Sequence, residues 1–202
     1  MRALAVAALL AAVPGSAATY DLDSSHTYAH FSVKHMMVAN VRGEFSKVTG
    51  SIQWDEKDVT KSSVMATIDA ATIQTREDKR DAHLKSPDFL DVAKNPSLTF
   101  KSKRVEKGQA PNSLKVVGDL TIRGVTKEVP LDVTFTDKEF KDPYGNMKRG
   151  ATATTKINRR DFGLMWNMPL DSGGLLVGEE VAITIEAELQ RKPEAKAAAA
   201  AK

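Results

Sequence analysis

Four histidines are the side chains best able to move a proton or hold a metal at neutral pH, and His26, His30 and His35 fall within one short segment. In an extended segment His26 and His30 share a face but stand roughly 13 Å apart, at about 3.3 Å per residue. His35 has the opposite parity. A metal needs ligands that converge, so these residues read as structural histidines on a strand and its exit turn, and no metal is expected. His83 has Lys79, Arg80 and Lys85 as neighbours, which makes a cationic helix face rather than a ligand cluster. Asp21 and Asp23 flank Leu22, and Asp78 and Asp81 can share a helix face; both pairs read as solvated polar surface. A glycosidase-type carboxylate pair needs no proximity in sequence and stays open. There is no G-x-S-x-G elbow, phosphate loop or dinucleotide fingerprint. With no cysteine in the chain, a thiol nucleophile, an iron–sulfur cluster and Cys-ligated zinc are excluded. No catalytic residue is assigned, and the chain reads as a binding protein without a cofactor.

The segment Asn158-Arg159-Arg160-Asp161-Phe162-Gly163 supports two readings. One is a surface turn in which Asp161 pairs with Arg159 or Arg160. The other is a polar rim, followed by the greasy residues Leu164, Met165, Trp166 and Met168. Met36 and Met37 add adaptable apolar surface. A polar rim over an apolar interior suits an amphiphile with one polar end and a long tail.

Alternation with period two identifies the elements that must position these residues. The apolar set is Val64, Ala66, Ile68 and Ala70 in one run, and Leu114, Val116, Gly118, Leu120 and Ile122 in another. Val129, Leu131, Val133 and Phe135 form a third, and Val181, Ile183, Ile185, Ala187 and Leu189 a fourth. Thr27–Val33, Leu98–Val105 and Arg149–Ile157 add three more strands. Val41–Trp54 requires a bulge, because Val41 and Phe45 have one parity while Val48, Ile52 and Trp54 have the other. Lys, Asp, Thr and Glu fill the alternate positions, the pattern of antiparallel strands with one wet and one dry face. About eight such strands must close or pair as a sandwich; their length and short turns favour a closed meander barrel, wide enough for side chains or one slender ligand. Thr72 to Pro96 has no strand pattern. Thr75 with Asp78 is read as the N-cap of a helix through Glu77–Lys85, an excursion that covers an end or an opening.

Arg2, the apolar run Leu4 to Val13, the breakers Pro14-Gly15 and the small residues Ser16-Ala17-Ala18 have the order of a cleavable secretory signal. Cleavage is expected after Ala18, with Ala17 as the alternative. The apolar run is far shorter than the roughly 20 residues that span a bilayer. The expected organisation is a leader over 1–18, one barrel domain over 19–191 and a solvated, disordered Ala/Lys-rich tail over 192–202, with a periplasmic location. A net charge of +3 with scattered cations gives no nucleic-acid patch.

Taken in order along the chain, these segments identify it as resembling the YceI-like family. The resemblance rests on Tyr20-Asp21-Leu22-Asp23 with His26, Phe31-Ser32-Val33-Lys34-His35-Met36 and Val41-Arg42-Gly43-Glu44-Phe45. It continues through Asp81-Ala82-His83-Leu84-Lys85-Ser86-Pro87-Asp88-Phe89-Leu90-Asp91, Gly118-Asp119-Leu120-Thr121-Ile122-Arg123-Gly124, Asn158 to Gly163 and Val177-Gly178-Glu179-Glu180-Val181. It implies a lipocalin-like eight-stranded antiparallel barrel around a cavity for a polyisoprenoid, isoprenoid quinone or fatty-acyl lipid. Phe31, Val33, Phe45, Phe100, Leu120, Ile122, Val133 and Ile157 are then expected to line the tail cavity. Phe89, Phe162, Leu164, Met165 and Trp166 are expected at the mouth, and His35, Asn158 and Arg159 at the polar head. The family usually has a second aromatic where Leu90 stands, a difference that bears on cavity shape. A transient contact with an inner-membrane cytochrome and a homodimer are the protein partners expected. An envelope hydrolase with a catalytic site at the barrel mouth, or a partner module of a membrane cytochrome, are the alternative functions.

Overall fold

The structure is a computed structural model that describes residues 17–171 and 173–193. The leader expected over 1–18 lies outside the described residues except for Ala17 and Ala18, and the tail expected over 192–202 except for Lys192 and Pro193. Twelve strands and one α-helix follow in order: β1 Ala17–Leu22, β2 Tyr28–His35, β3 Ala39–Phe45, β4 Val48–Asp55, β5 Ser63–Asp69, β6 Ile73–Gln74, α1 Asp78–Lys85, β7 Ser97–Lys107, β8 Ser113–Ile122, β9 Val125–Phe135, β10 Phe140–Lys141, β11 Met147–Asn158 and β12 Val177–Arg191. All pairings are antiparallel.

Apart from the two-residue β10, which pairs only with β11, these segments make eight staves, because three staves are each broken into two. β1 and β2 run end to end along β12, with Tyr20 opposite Arg191 and Ala29 opposite Ile185. β4 and β3 run beside them, with Ile52 opposite Tyr20 and Phe45 opposite Ala29. β5 and β6 form the next stave, then β7, β8, β9 and β11. β11 returns to β12 along eleven residue pairs, from Lys148–Gln190 to Asn158–Glu180, and closes the barrel. The closed barrel favoured by the alternation, and the lipocalin-like eight-stranded barrel implied by the resemblance, is therefore the observed fold.

The parity switch between Phe45 and Val48 is resolved as expected. Ser46 and Lys47 interrupt the stave, and the Lys47 carbonyl accepts the Asp69 amide at 3.0 Å. The sequence pattern did not show that Ala17–Leu22 extends the stave that begins at Tyr28. Residues 23–27 bulge between them, and Thr27, fully buried, accepts the Glu188 amide on its Oγ1 at 3.3 Å. The Asp23 amide in turn donates to the Glu188 carbonyl at 2.8 Å. Side-chain and backbone groups thus replace the ladder bonds that the bulge removes. The helix differs from expectation at its start: Glu77, not Thr75, caps it, accepting the Lys79 and Arg80 amides. Thr75 is instead buried, donating its hydroxyl to Asp81 and accepting Arg80 Nε at 2.7 Å.

A clasp of charges holds the 23–27 bulge to the barrel wall. Lys148 Nζ lies 2.8 Å from Asp23 Oδ2 and 2.8 Å from Glu188 Oε1. The ammonium, followed by the Ser25 hydroxyl, holds the Asp23 carboxyl far below its ordinary value of 3.8. A group depressed in this way stabilises the fold above its unfolded pKa and ceases to do so as pH falls through its folded one. Asp23→Asn is therefore expected to lose about 1–2 kcal/mol of stability at about pH 7. Urea melts should show the difference from wild type shrinking below about pH 4, where the carboxylate advantage disappears. A difference independent of pH would show that charge is not what the clasp contributes.

Candidate functional site

The inward-facing residues of the eight staves surround a lumen of about 300 Å³. Ile183 and Ile185 from β12, Ala153 and Ile157 from β11, and Leu120 and Phe100 from β8 and β7 are representative of its wall. Arg149 and Arg159 border it, yet almost no polar atom reaches its surface, and no carboxylate lines it among the described residues. Such a space cannot replace the water around a charge or a hydrogen-bonding group. It can hold hydrocarbon.

The two ends of the lumen differ in chemistry. At one end Tyr20, fully buried, donates its hydroxyl to Glu139 Oε1 at 2.6 Å and accepts Arg149 Nε at 3.3 Å. Glu139 Oε2 also pairs with Arg191 at 3.1 Å, and Arg149 donates to the Thr136 carbonyl at 3.0 Å. Burial, then the bond to Glu139, pushes the Tyr20 phenol up, so it stays a neutral donor. The Arg149 guanidinium lies 5.0 Å from the Trp54 ring centre, and Trp54 meets Phe135 edge-on at 4.9 Å. This end is plugged by a satisfied polar network with an aromatic floor facing the lumen. The sequence contained the signal for Arg149, which shares the inward parity of Ala151 and Ala153; Glu139 comes from a loop and had none.

At the other end, α1 with the residues after it and residues 159–171 and 173–176 form a cover. Leu84, Phe89, Leu90 and Leu164 reach the lumen from this cover. His83 bonds Asp88 at 2.8 Å and meets the rings of Phe89 and Trp166 edge-on at 5.0 and 4.7 Å. Arg123 links the two halves of the cover, donating to the carbonyls of Gly163 and Pro87 at 2.7 Å each.

All eight residues expected along the cavity border the lumen: Phe31, Val33, Phe45, Phe100, Leu120, Ile122, Val133 and Ile157. Of those expected at the mouth, Phe89 and Leu164 also border it, Trp166 packs on Phe89 at 5.3 Å, and Met165 is exposed. Phe162 belongs elsewhere: only 1% exposed, it is packed in the core beneath the 159–162 turn and does not border the lumen. His35 ends β2 opposite Val177, and Asn158, exposed, caps the turn by accepting the Arg160 amide at 2.9 Å. The largest correction concerns Arg159, which was expected to meet a polar head. It is 3% exposed, and its guanidinium donates to the carbonyls of Gly178, Leu164, Trp166 and Val177. Neither surface partner applies, since Arg160 pairs with Glu179 at 2.8 Å rather than with Asp161.

One group of donor atoms outside the lumen comes within reach of a single ion. Asp23, His26 and Glu188 offer ligand atoms within 4.8 Å of one another. The Lys148 ammonium already stands 2.8 Å from both carboxylates, so the chain supplies its own cation there.

The family model described as the YceI-like domain matches residues 20–189. The UPF0312 protein SAB2563 of Staphylococcus aureus (strain bovine RF122 / ET3-1) is 35% identical over 169 residues, which cover 84% of this chain and 95% of the relative. Among solved structures, Burkholderia cenocepacia BcnA superposes with a TM-score of 0.71 at 22% identity, covering 83% of this chain and 98% of its own. A polyisoprenoid binding domain from Saccharophagus degradans, implicated in plant cell wall breakdown, has a TM-score of 0.63 at 15% identity, covering 86% and 98%. At these identities the two structures show a shared fold.

The cover depends on Arg159. Arg159→Ala would leave several carbonyls without their donor, an expected loss of about 2–4 kcal/mol. Arg159→Lys should recover little, because a point charge cannot span carbonyls that a planar fork reaches together. Hydrogen exchange should rise across 164–178 in both variants while the barrel staves stay protected. Wild-type exchange in the Lys variant would refute this role.

Proposed function

The chain belongs to the YceI-like family, and from that premise we propose that it is an exported carrier that sequesters a long-chain amphiphile in the barrel. The observation that carries this reading is a lumen inside the barrel whose wall presents almost no polar atom. The cargo class that fits is a polyisoprenoid, an isoprenoid quinone or a fatty-acyl lipid, with its hydrocarbon inside. The wall can pair no polar head, so the head stays at the α1 end, near His35 and Asn158. The polyisoprenoid binding of the Saccharophagus domain agrees with this class of ligand. The secretory pattern of the first eighteen residues suits a periplasmic setting, where an insoluble molecule must cross water between membranes. A hydrolase with its reaction in the lumen is disfavoured, because no carboxylate lines the wall among the described residues; Glu44, which pairs with His30 at 3.3 Å, does not border the lumen.

Burial contributes about 0.8 kcal/mol per methylene. Affinity for a homologous series of alkyl-chain probes should therefore rise about fourfold per added methylene and level off when the lumen is full. Ala153→Phe, which places a ring in the lumen, should lower probe affinity by about tenfold or more while the fold persists by circular dichroism. Organic extracts of detergent-free wild type should contain a long-chain lipid by mass spectrometry. Extracts without lipid, together with no probe binding, would sink the carrier reading.

A further inference from the structure

Nine large apolar side chains are conspicuously exposed among the described residues, and six of them lie at the covered end: Met36, Met37, Val38, Met165, Met168 and Leu175. Met37 is 68% exposed and Val38 82%. The backbone holds these residues side by side. The Met36 amide donates to the Leu176 carbonyl at 2.8 Å, and the Leu176 amide to the Met168 carbonyl at 2.9 Å. His35 pairs with Val177, and Pro169 bridges Leu175. Met65, Phe140 and Tyr144, the other three, lie on the flank and at the plugged end.

The turn itself opposes the residues it carries. Met36 and Met37 both have left-handed backbone angles, φ 52° and 60°. A hairpin turn with two such residues is relaxed with Asn or Gly and disfavours side chains with a Cβ and a long stem. The chain thus holds two methionines where the backbone resists them and where Met36 stays 45% and Met37 68% exposed. Both penalties are offset only when the side chains enter an apolar phase. The patch is continuous with the lumen, since Leu164 and Val177 border the lumen and lie one and two residues from Met165 and Leu175.

We propose that this face is a membrane-docking surface, which seats on a bilayer by inserting the 36–38 turn and the methionines beside it. The proposal rests on the carrier reading, because a cargo that dissolves in bilayers and a lumen whose wall residues adjoin the patch make a bilayer the occupant. Flexible thioether side chains suit a fluid, irregular partner, and shallow burial of apolar side chains at the headgroup boundary supplies reversible binding.

The test uses the double variant Met36→Asn/Met37→Gly and, separately, Met168→Ser, neither of which alters a residue that borders the lumen. Vesicles of phosphatidylethanolamine and phosphatidylglycerol should sediment wild type, including at about 0.5 M salt, where exposed charges are screened. The double variant should bind vesicles about tenfold more weakly or worse and melt about 2–5 °C higher, because the turn is relieved. Its affinity for a soluble alkyl-chain probe should not change. Wild type that remains in the supernatant while binding the probe overturns the docking face and leaves the carrier reading intact. Vesicle binding without probe binding supports the face and removes the carrier. Equal sedimentation of the double variant overturns the proposal, as does a wild-type dimer in light scattering that this variant makes monomeric, since a second copy would then cover the face.

Discussion

β12 pairs along one edge with β11 and along the other with β2 and then β1, and this fifteen-residue strand turns a twisted sheet into a closed wall. Closure removes the edges that would otherwise template association. It also fixes which face of every strand is interior, because a single register shift on β12 would exchange Ile183 and Ile185 for Thr184 and Glu186 along the whole seam. Two staves must curve sharply to meet this seam, and they do so through the interruptions at 23–27 and 46–47. The bulges, Thr27 and the Asp23–Lys148–Glu188 clasp are therefore consequences of closure.

A closed wall still has two ends, and the chain treats them in opposite ways. Tyr20, Glu139, Arg149 and Arg191 form a plug whose members satisfy one another, so burying them is tolerated. No buried side-chain nitrogen or oxygen among the described residues lacks a partner. This complete pairing explains why the lumen is apolar although arginines border it: their donors are already committed to protein acceptors. The covered end relies on apolar packing of Phe89, Leu90 and Trp166, held by Arg123 and Arg159.

Much of this was legible in the sequence because period-two alternation reports a strand's inward face directly. That pattern delivered the eight staves, the bulge between Phe45 and Val48 and every residue expected along the lumen wall. It was silent where the deciding partner is distant in sequence. Ala17–Leu22 is too short to display its pairing with β4 and β12, and nothing near Arg159 shows that the carbonyls of Val177 and Gly178 will converge on it. Cations followed by acid and aromatic residues resemble a surface rim, and only the tertiary path of the 164–178 segment turns Arg159 inward. Phe162 was misplaced for the same reason: a loop residue has no parity.

Loading a carrier of the kind proposed requires the cover to open, and the chemistry of its fastenings sets the cost. An apolar cover sealed only by packing would expose hydrocarbon to water on opening and would be held shut by the hydrophobic effect. Here Arg123 and Arg159 fasten the cover through guanidinium–carbonyl hydrogen bonds, each with a net contribution of about 1.5–3 kcal/mol, because water replaces most of what is lost. Breaking the two Arg123 bonds removes the hydrogen bonds between the Pro87 and Gly163 sides and leaves the ring contacts of His83 and Phe89 with Trp166 to join them, while Arg159 keeps the residues after Gly163 attached to β12. Opening against a bilayer exchanges one apolar environment for another, and hydrocarbon can pass between them without crossing water.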